Sequence, residues 1–306
     1  MKSFLYNLFL FVLTAAAGYA VLIFIWGNCV PKRLNKNLLT QFSYGYLEER
    51  FEEADAITGV DILILGSSHA YRGYDTRIFK ANGIKAFNFG STAQTPVQCE
   101  LIAGHYVKQM KPKLVIVDIY PIVFGLDGTE SALDIILNQR KLDAAALTLN
   151  AIQTKNVKVY NTLLYSAYPN FEKQVAEKSG GTDTYIQGGF VETSKKGSSA
   201  ENNLKFAYEI LPKQIQAFER ILQKLKDNNI PFVLVQAPIR KDAYNAVTNN
   251  KQMDSLFASY GEYYNFNESL NMGPEFFVDK SHLNQPGVEI YNASLMQKVN
   301  KINNLK

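Results

Sequence analysis

Cysteine is scarce in this chain of 306 residues, which contains only Cys29 and Cys99. Cys29 closes an apolar segment, which argues against a disulfide between the two. Neither a Cys-x-x-Cys pair nor any other Cys/His metal spacing is present. No metal or cofactor is expected. Basic runs are lacking as well: 32 Lys and Arg are dispersed among 28 Asp and Glu, for a net charge of +4. No stretch interleaves basic with aromatic residues in the way nucleic-acid binding needs, so nucleic acid is excluded as a partner. Internal repeats are also missing. With 47% hydrophobic and 20% charged residues, the chain reads as a folded globular protein rather than a disordered or fibrous one.

Charge is missing altogether from Phe4 to Trp26, a run of 23 residues that would rise about 34 Å as a helix and so cross a bilayer. A cleaved signal peptide is the competing reading, since Ala15-Ala16-Ala17 supplies small residues. The apolar run continues past them to Trp26, longer than a usual signal h-region. Trp26-Gly27-Asn28 also departs from the small residues expected before a lipidated cysteine. We therefore expect an uncleaved transmembrane anchor over 1–27. Lys32, Arg33 and Lys36 follow it, against Lys2 and the α-amine before it, and this count alone would place the rest of the chain in the cytoplasm.

Residues 28–60 are polar and tyrosine-rich and read as a stalk and amphipathic entry segment. From 61 onwards short apolar runs alternate with helical ones. Asp61-Ile62-Leu63-Ile64-Leu65 ends at Gly66, the pattern of a strand buried on both faces. Further strands are expected at 86–89, 114–118 and 232–235, and helices near 76–82, 95–110 and 204–228. In the last of these Leu204, Ala207, Leu211, Phe218, Leu222 and Leu225 keep to one face. The alternation implies an α/β domain over 61–306, three layers around a central parallel sheet of about five strands. Residues 126–203 interrupt it. They read as a helical insertion around 131–153 followed by a mobile polar end with Gly180-Gly181, Gly188-Gly189 and Lys195-Lys196-Gly197.

Two blocks carry chemistry. Gly66-Ser67-Ser68-His69 follows the first strand, where functional residues of parallel sheets collect. A serine there needs a neighbouring base before it becomes a nucleophile. Alone, such a turn is ordinary loop chemistry. Asp279-Lys280-Ser281-His282 precedes a final helix with Val288, Tyr291, Leu295, Val299 and Ile302 on one face. In this turn the Asp279 carboxylate can accept the Nδ1 proton of His282 and leave Nε2 free as a base. His69 adjoins the serine and reads as a substrate contact or a hydrogen bond to the turn; His105 lies in a helix and reads as structural. Asp118 closes a strand and reads as a loop cap, or as a residue that orients the active-site loops.

Together these blocks resemble the SGNH/GDSL hydrolase superfamily, in which a Gly-Asp-Ser turn holds the nucleophile and an Asp-x-x-His turn holds the base. Gly66, Ser68, Asp279 and His282 match in order and position, over roughly 61–125 and 205–302. The resemblance implies a triad of Ser68, Asp279 and His282, with an oxyanion hole from the amides of Ser68 and Gly90. Gly90 lies in Asn88-Phe89-Gly90-Ser91-Thr92, where Asn88 joins His69 as a possible substrate contact. Two departures stand out. Ser67 replaces the family's Asp, and no Gly-x-Asn-Asp block follows the third strand, which leads instead into Asp118-Ile119-Tyr120-Pro121. With the anchor, these features look most like the D-alanine transfer protein of teichoic acid systems and related cell-envelope acyltransferases.

That likeness implies small-acyl or acetyl transfer on an envelope glycan. The body would lie outside the cytoplasm, against the charge count, with a membrane-bound O-acyltransferase as partner. An esterase or deacetylase, and a non-catalytic scaffold of an acyltransferase complex, are the alternatives.

Overall fold

The computed structural model of the protein describes residues 1–31, 34–40, 45–168, 181–195, 197 and 204–302. Lys32, Arg33 and, in the expected insertion, residues 169–180, 196 and 198–203 lie outside them, Gly180 and Lys196 included. Helix α1 (Lys2–Cys29) is 28 residues long, with almost all of its apolar side chains exposed. It is long and apolar enough to cross a bilayer. Helix α2 (Leu47–Ala56) follows. Its apolar positions Leu47, Phe51 and Ala54 are fully buried in the main core, so this part of the expected stalk and entry segment is integral to the domain.

Strand β1 (Ile62–Gly66) leads into α3 (Ser68–Gly73) and α4 (Thr76–Ala81), then β2 (Ala86–Gly90), α5 (Pro96–Met110) and β3 (Leu114–Asp118). The insertion contributes α6 (Thr129–Asn138), α7 (Ala144–Thr154) and α8 (Val157–Ser166). An antiparallel hairpin, β4 (Asp183–Ile186) and β5 (Phe190–Thr193), ends it. Helix α9 (Pro212–Asp227), β6 (Phe232–Gln236), α10 (Lys241–Ala246), α11 (Asn250–Ala258), β7 (Tyr263–Asn265), α12 (Phe266–Ser269) and α13 (Gln285–Ile302) complete the chain.

The main sheet has five parallel strands in the order β2-β1-β3-β6-β7, and helices cover both faces. β1 and β3 are buried at every residue, as their unbroken apolar runs require. The two cores lie on opposite faces. Leu63, Leu65, Val115 and Val117 point into one with α2, α5 and α9, while Ile62, Ile64, Leu114 and Ile116 point into the other with α13. Because the chain winds outwards in both directions from β1 and β3, a crevice opens at their carboxyl ends. Ser68 stands two residues beyond β1 there.

Two elements differ from expectation. The helix expected over 204–228 begins only at Pro212, which occupies its first turn. Proline lacks the N–H and fits there but not in a helix interior. Residues 204–211 precede the helix; Phe206 bridges to Val247, and its N–H donates to the Ala246 carbonyl. The hairpin β4–β5 stands where a polar, mobile stretch was expected. Its turn covers the outer edge of β2: the Asn88 N–H donates to the Gly188 carbonyl at 2.7 Å. Gly188 and Gly189 both have φ of +94°, a conformation that favours glycine. A capped edge cannot recruit a foreign strand.

Candidate active site

Close packing sets the turn that carries Ser68. Gly66 passes so near β3 that a Cβ on it would lie 2.7 Å from the Asp118 Cβ. Ser67 then caps α3, its Oγ accepting the His69 N–H at 3.4 Å. The cap leaves Ser68 as the first helical residue, partly exposed at the sheet's carboxyl edge. First-turn amides have no partner within their helix, and no acceptor among the described residues takes the Ser68 N–H.

The second block folds around its own carboxylate. Asp279 Oδ1 accepts the backbone N–H of Ser281 at 2.8 Å and of His282 at 2.9 Å, while the Val278 N–H donates to the His282 carbonyl at 2.8 Å. The Arg240 N–H donates to the Lys280 carbonyl and ties the turn to the chain after β6. The same carboxylate meets the imidazole edge, with His282 Nδ1 2.9 Å from Asp279 Oδ2 and 3.1 Å from Oδ1. His282 Nε2 lies 2.8 Å from Ser68 Oγ across 214 residues of sequence.

Ser68, His282 and Asp279 are thus brought together in one hydrogen-bonded line. Partial burial pushes the Asp279 carboxyl up. The hydrogen bond and charge of His282, with the Ser281 and His282 amides, outweigh that and hold it well below the usual carboxylate range. An ionised Asp279 requires the proton on His282 Nδ1, which leaves Nε2 to accept from the serine. The line is open to water: the side chains of His282 and Asp279 are 22% and 50% exposed.

Two of the expected site residues are placed otherwise. Asn88 is fully buried under α3, its amide donating to the carbonyls of Ala70 at 2.7 Å and Tyr74 at 3.2 Å. It has no surface to offer a substrate. Its Oδ1 accepts the Gly90 N–H at 3.1 Å, so the amide expected in the oxyanion hole is already bonded. Position 90 needs glycine for packing, since a Cβ there would lie 2.6 Å from the Ser67 carbonyl and 2.8 Å from the Ala70 Cβ. Of the two expected oxyanion amides, Ser68 alone is without an acceptor among the described residues.

His69 lies beneath the solvent-facing site, against His282. It is buried at 3% exposure, stacks on Tyr120 with ring centroids 3.6 Å apart, and meets His282 edge-on at 5.5 Å. Among the described residues its Nε2 has no hydrogen-bond partner. Desolvation and then the neighbouring His282 push it well below its ordinary pKa, so it is held neutral. Tyr120, noted in the sequence only as part of a departure from a motif, is thus the ring on which His69 stacks.

Asp118 is more than a loop cap. Its Oδ1 accepts the Tyr74 hydroxyl at 2.9 Å, and its Oδ2, beside Gly66, has no hydrogen-bond partner among the described residues. Burial pushes its carboxyl up to about 7, against the hydrogen bonds from Tyr74 and the Ala237 N–H. No signal in the sequence distinguishes this buried acid from one at a strand end in water. His105 faces a groove between α5 and α7, on the helix where it was expected.

No protein-family profile matches the chain, and no curated protein matches it. Among solved structures it is similar to a candidate acylhydrolase of Bacteroides fragilis at 12% identity and a TM-score of 0.43, covering 85% of this chain and 99% of that one. It is also similar to a GDSL-like lipase of Bacteroides thetaiotaomicron at 13% identity and a TM-score of 0.43, covering 85% and 100%. At these values the likeness assigns the chain neither a family nor an activity.

Proposed function

We propose that the protein is a membrane-anchored serine acyltransferase that moves a small acyl group, such as acetyl, onto a hydroxyl of a cell-envelope glycan. The observation that carries this reading is the hydrogen-bonded line from Ser68 Oγ through His282 to Asp279. In this reading Ser68 Oγ attacks the acyl carbonyl while its proton passes to His282 Nε2. Asp279 holds the imidazole in register and balances the imidazolium. The tetrahedral intermediate collapses to an acyl-serine as His282 returns the proton to the leaving oxygen. A glycan hydroxyl then gives its proton to Nε2, takes the acyl group, and Ser68 is restored.

Transfer is favoured over simple hydrolysis by the sparse oxyanion hole. One donor of this kind is worth about 3–4 kcal/mol, and with the Gly90 amide bonded to Asn88 an isolated body would be a slow esterase. Holding donor and acceptor in line within a membrane complex supplies roughly 7–11 kcal/mol, and α1 would keep the body beside a membrane-embedded acyl donor. A membrane-bound O-acyltransferase is the proposed partner. Residues 1–27 are the proposed anchor and 61–306 the proposed catalytic domain, outside the cytoplasm. The second reading, an esterase or deacetylase, draws on the solvent exposure of His282 and Asp279, which lets water reach the acyl-serine.

Deleting the gene separates the two. Transfer predicts fewer ester-linked acyl groups on the envelope polymer, restored only by a copy that has α1, Ser68 and His282 together. A rise in those groups, with turnover of p-nitrophenyl acetate by residues 40–306 near an ordinary enzyme rate of about 10 per second, contradicts transfer and establishes the esterase.

A further inference from the structure

Helix α1 does not stand clear of the domain. The Tyr19 hydroxyl donates to Asn161 Oδ1 at 2.5 Å, and the Tyr168 hydroxyl donates to the Ala20 carbonyl at 2.6 Å. Phe24 packs against Tyr168 with ring centroids 4.8 Å apart, and Ile23 joins Leu38 and Tyr165 in a small buried cluster. Gly27 permits this approach, because a Cβ there would overlap the Tyr165 ring. The end of the chain's apolar run is therefore seated on α8 and the residues that follow it.

Depth turns this contact into a constraint. From Phe4 to Tyr19 the helix rises about 22 Å, short of the ~30 Å of a hydrocarbon core. Lys2 fixes the far boundary. An α1 that spans the bilayer must bury residues up to about Ile23, which puts the contacts at Tyr19, Ala20 and Ile23 at or inside the near boundary. The contacting end of α8 then enters the interface with them. Its polar side chains there are paired, Asn161 with Tyr19 and Asn37, Tyr165 with Asn28, Thr162 with the Leu39 N–H and Ser166 with the Leu163 carbonyl, as a low-dielectric boundary demands.

The surface next to this contact suits that place. Leu149 and Ile152 on α7 are 56% and 53% exposed, and Val157 and Tyr160 on α8 are 59% and 39% exposed. On α8 the exposed pair continues the stripe of Leu164 and Tyr168 that packs against Ile23, by the three- and four-residue steps of one helix face. From Ala144 to Tyr168 there is no acidic residue, while Lys155 and Lys158 supply positive charge, the pattern of a segment lying against anionic headgroups.

We propose that α7 and α8 form a membrane-docking face, with Leu149, Ile152, Val157 and Tyr160 seated at the boundary between headgroups and acyl chains. The occupant is the bilayer that holds α1, and the inference rests on α1 spanning it. The body then lies against the membrane in a fixed orientation instead of swinging on a stalk.

The test uses the full chain with Cys29→Ser, carrying single engineered cysteines labelled with an environment-sensitive fluorophore. The sites are Val12→Cys on α1, Leu149→Cys, Val157→Cys, and Lys251→Cys on the exposed side of α11 as a control. The protein is placed in phosphatidylcholine–phosphatidylglycerol vesicles with or without brominated acyl chains. We expect brominated lipid to remove about half the emission or more at 12, 149 and 157, as interfacial burial of 5–10 Å implies, and to leave 251 unchanged. Quenching at 12 without quenching at 149 and 157 overturns the docking face and leaves the anchor standing. An unquenched probe at 12 overturns the anchor reading and the docking face together. Protection of 149 and 157 that rises with protein concentration and ignores bromine marks a second copy of the chain as the occupant, and also overturns the proposal.

Discussion

The side-chain carbonyl of Asn88 accepts the backbone N–H of Gly90, two residues further along the same strand, at 3.1 Å. The amide of Asn88 holds the carbonyls of Ala70 and Tyr74 at the same time, so one buried side chain fastens α3 to β2. Ser68 opens that helix, and its aim at His282 depends on the fastening.

Asn88→Ala should therefore act through stability and placement, leaving substrate affinity unchanged. It strands the Tyr74 carbonyl and the Gly90 N–H in a fully buried site, while the Ala70 carbonyl keeps the Tyr74 N–H, at about 1–3 kcal/mol for each unpaired group. Denaturant unfolding should show a loss of at least about 2 kcal/mol. A stable variant with a raised KM would return Asn88 to the substrate-contacting role expected from sequence.

Asp118 makes stability depend on pH in a stated direction. Its folded carboxyl titrates near 7 against an ordinary 3.8, so between those values the folded state holds a proton that the unfolded state has released. Stability attributable to Asp118 is thus full below about pH 4 and is lost as pH rises towards 7, a change on the order of 4 kcal/mol. Asp118→Asn keeps the acceptor for Tyr74 and removes the titration. The stability difference, variant minus wild type, should grow from pH 4 to pH 7 and level off above. A flat difference would place the Asp118 carboxyl in the ordinary range.

His69 gives the opposite sign. Desolvation keeps it neutral in the folded protein, while the unfolded chain takes up a proton below its ordinary 6.5. Its contribution to stability therefore falls as pH drops below that value. His69→Phe, which retains a ring on Tyr120, should abolish this acid sensitivity and keep Ser68 reactive. His69→Ala should cost about 2–4 kcal/mol through the void beside His282. Equal acid sensitivity in the Phe variant and the wild type would show that His69 is charged when folded.

What the sequence revealed and what it hid divide along physical lines. β1, β3 and β6 are legible because strands buried on both faces must be nearly continuously apolar, β2 by its Phe87 and Phe89 about Asn88, and the Asp-x-x-His turn because one carboxylate can both fold it and orient the imidazole. β7, Tyr-Tyr-Asn at the sheet edge, is too short and polar to stand out. The hairpin hides because Asp183–Ile186 and Phe190–Thr193 alternate weakly, although Gly188-Gly189 between them is a turn signal. Apolar spacing at Leu204, Ala207 and Leu211 suggests a helix before Pro212, a period that overlooks the proline. Long-range partnerships leave no local trace: nothing near Asn88 announces that it will consume the Gly90 amide, and nothing near Tyr120 announces His69.

The most direct test of the central claim is covalent labelling of Ser68 by a fluorophosphonate, which reports an activated serine whatever its substrate. The 2.8 Å approach of His282 Nε2 to Ser68 Oγ predicts a single adduct on Ser68 in the full-length protein. It also predicts that His282→Ala slows labelling about 10³-fold or more, since triad members act as a unit, while the variant stays folded. Full labelling of Ser68→Ala, or unchanged labelling of folded His282→Ala, would contradict the account.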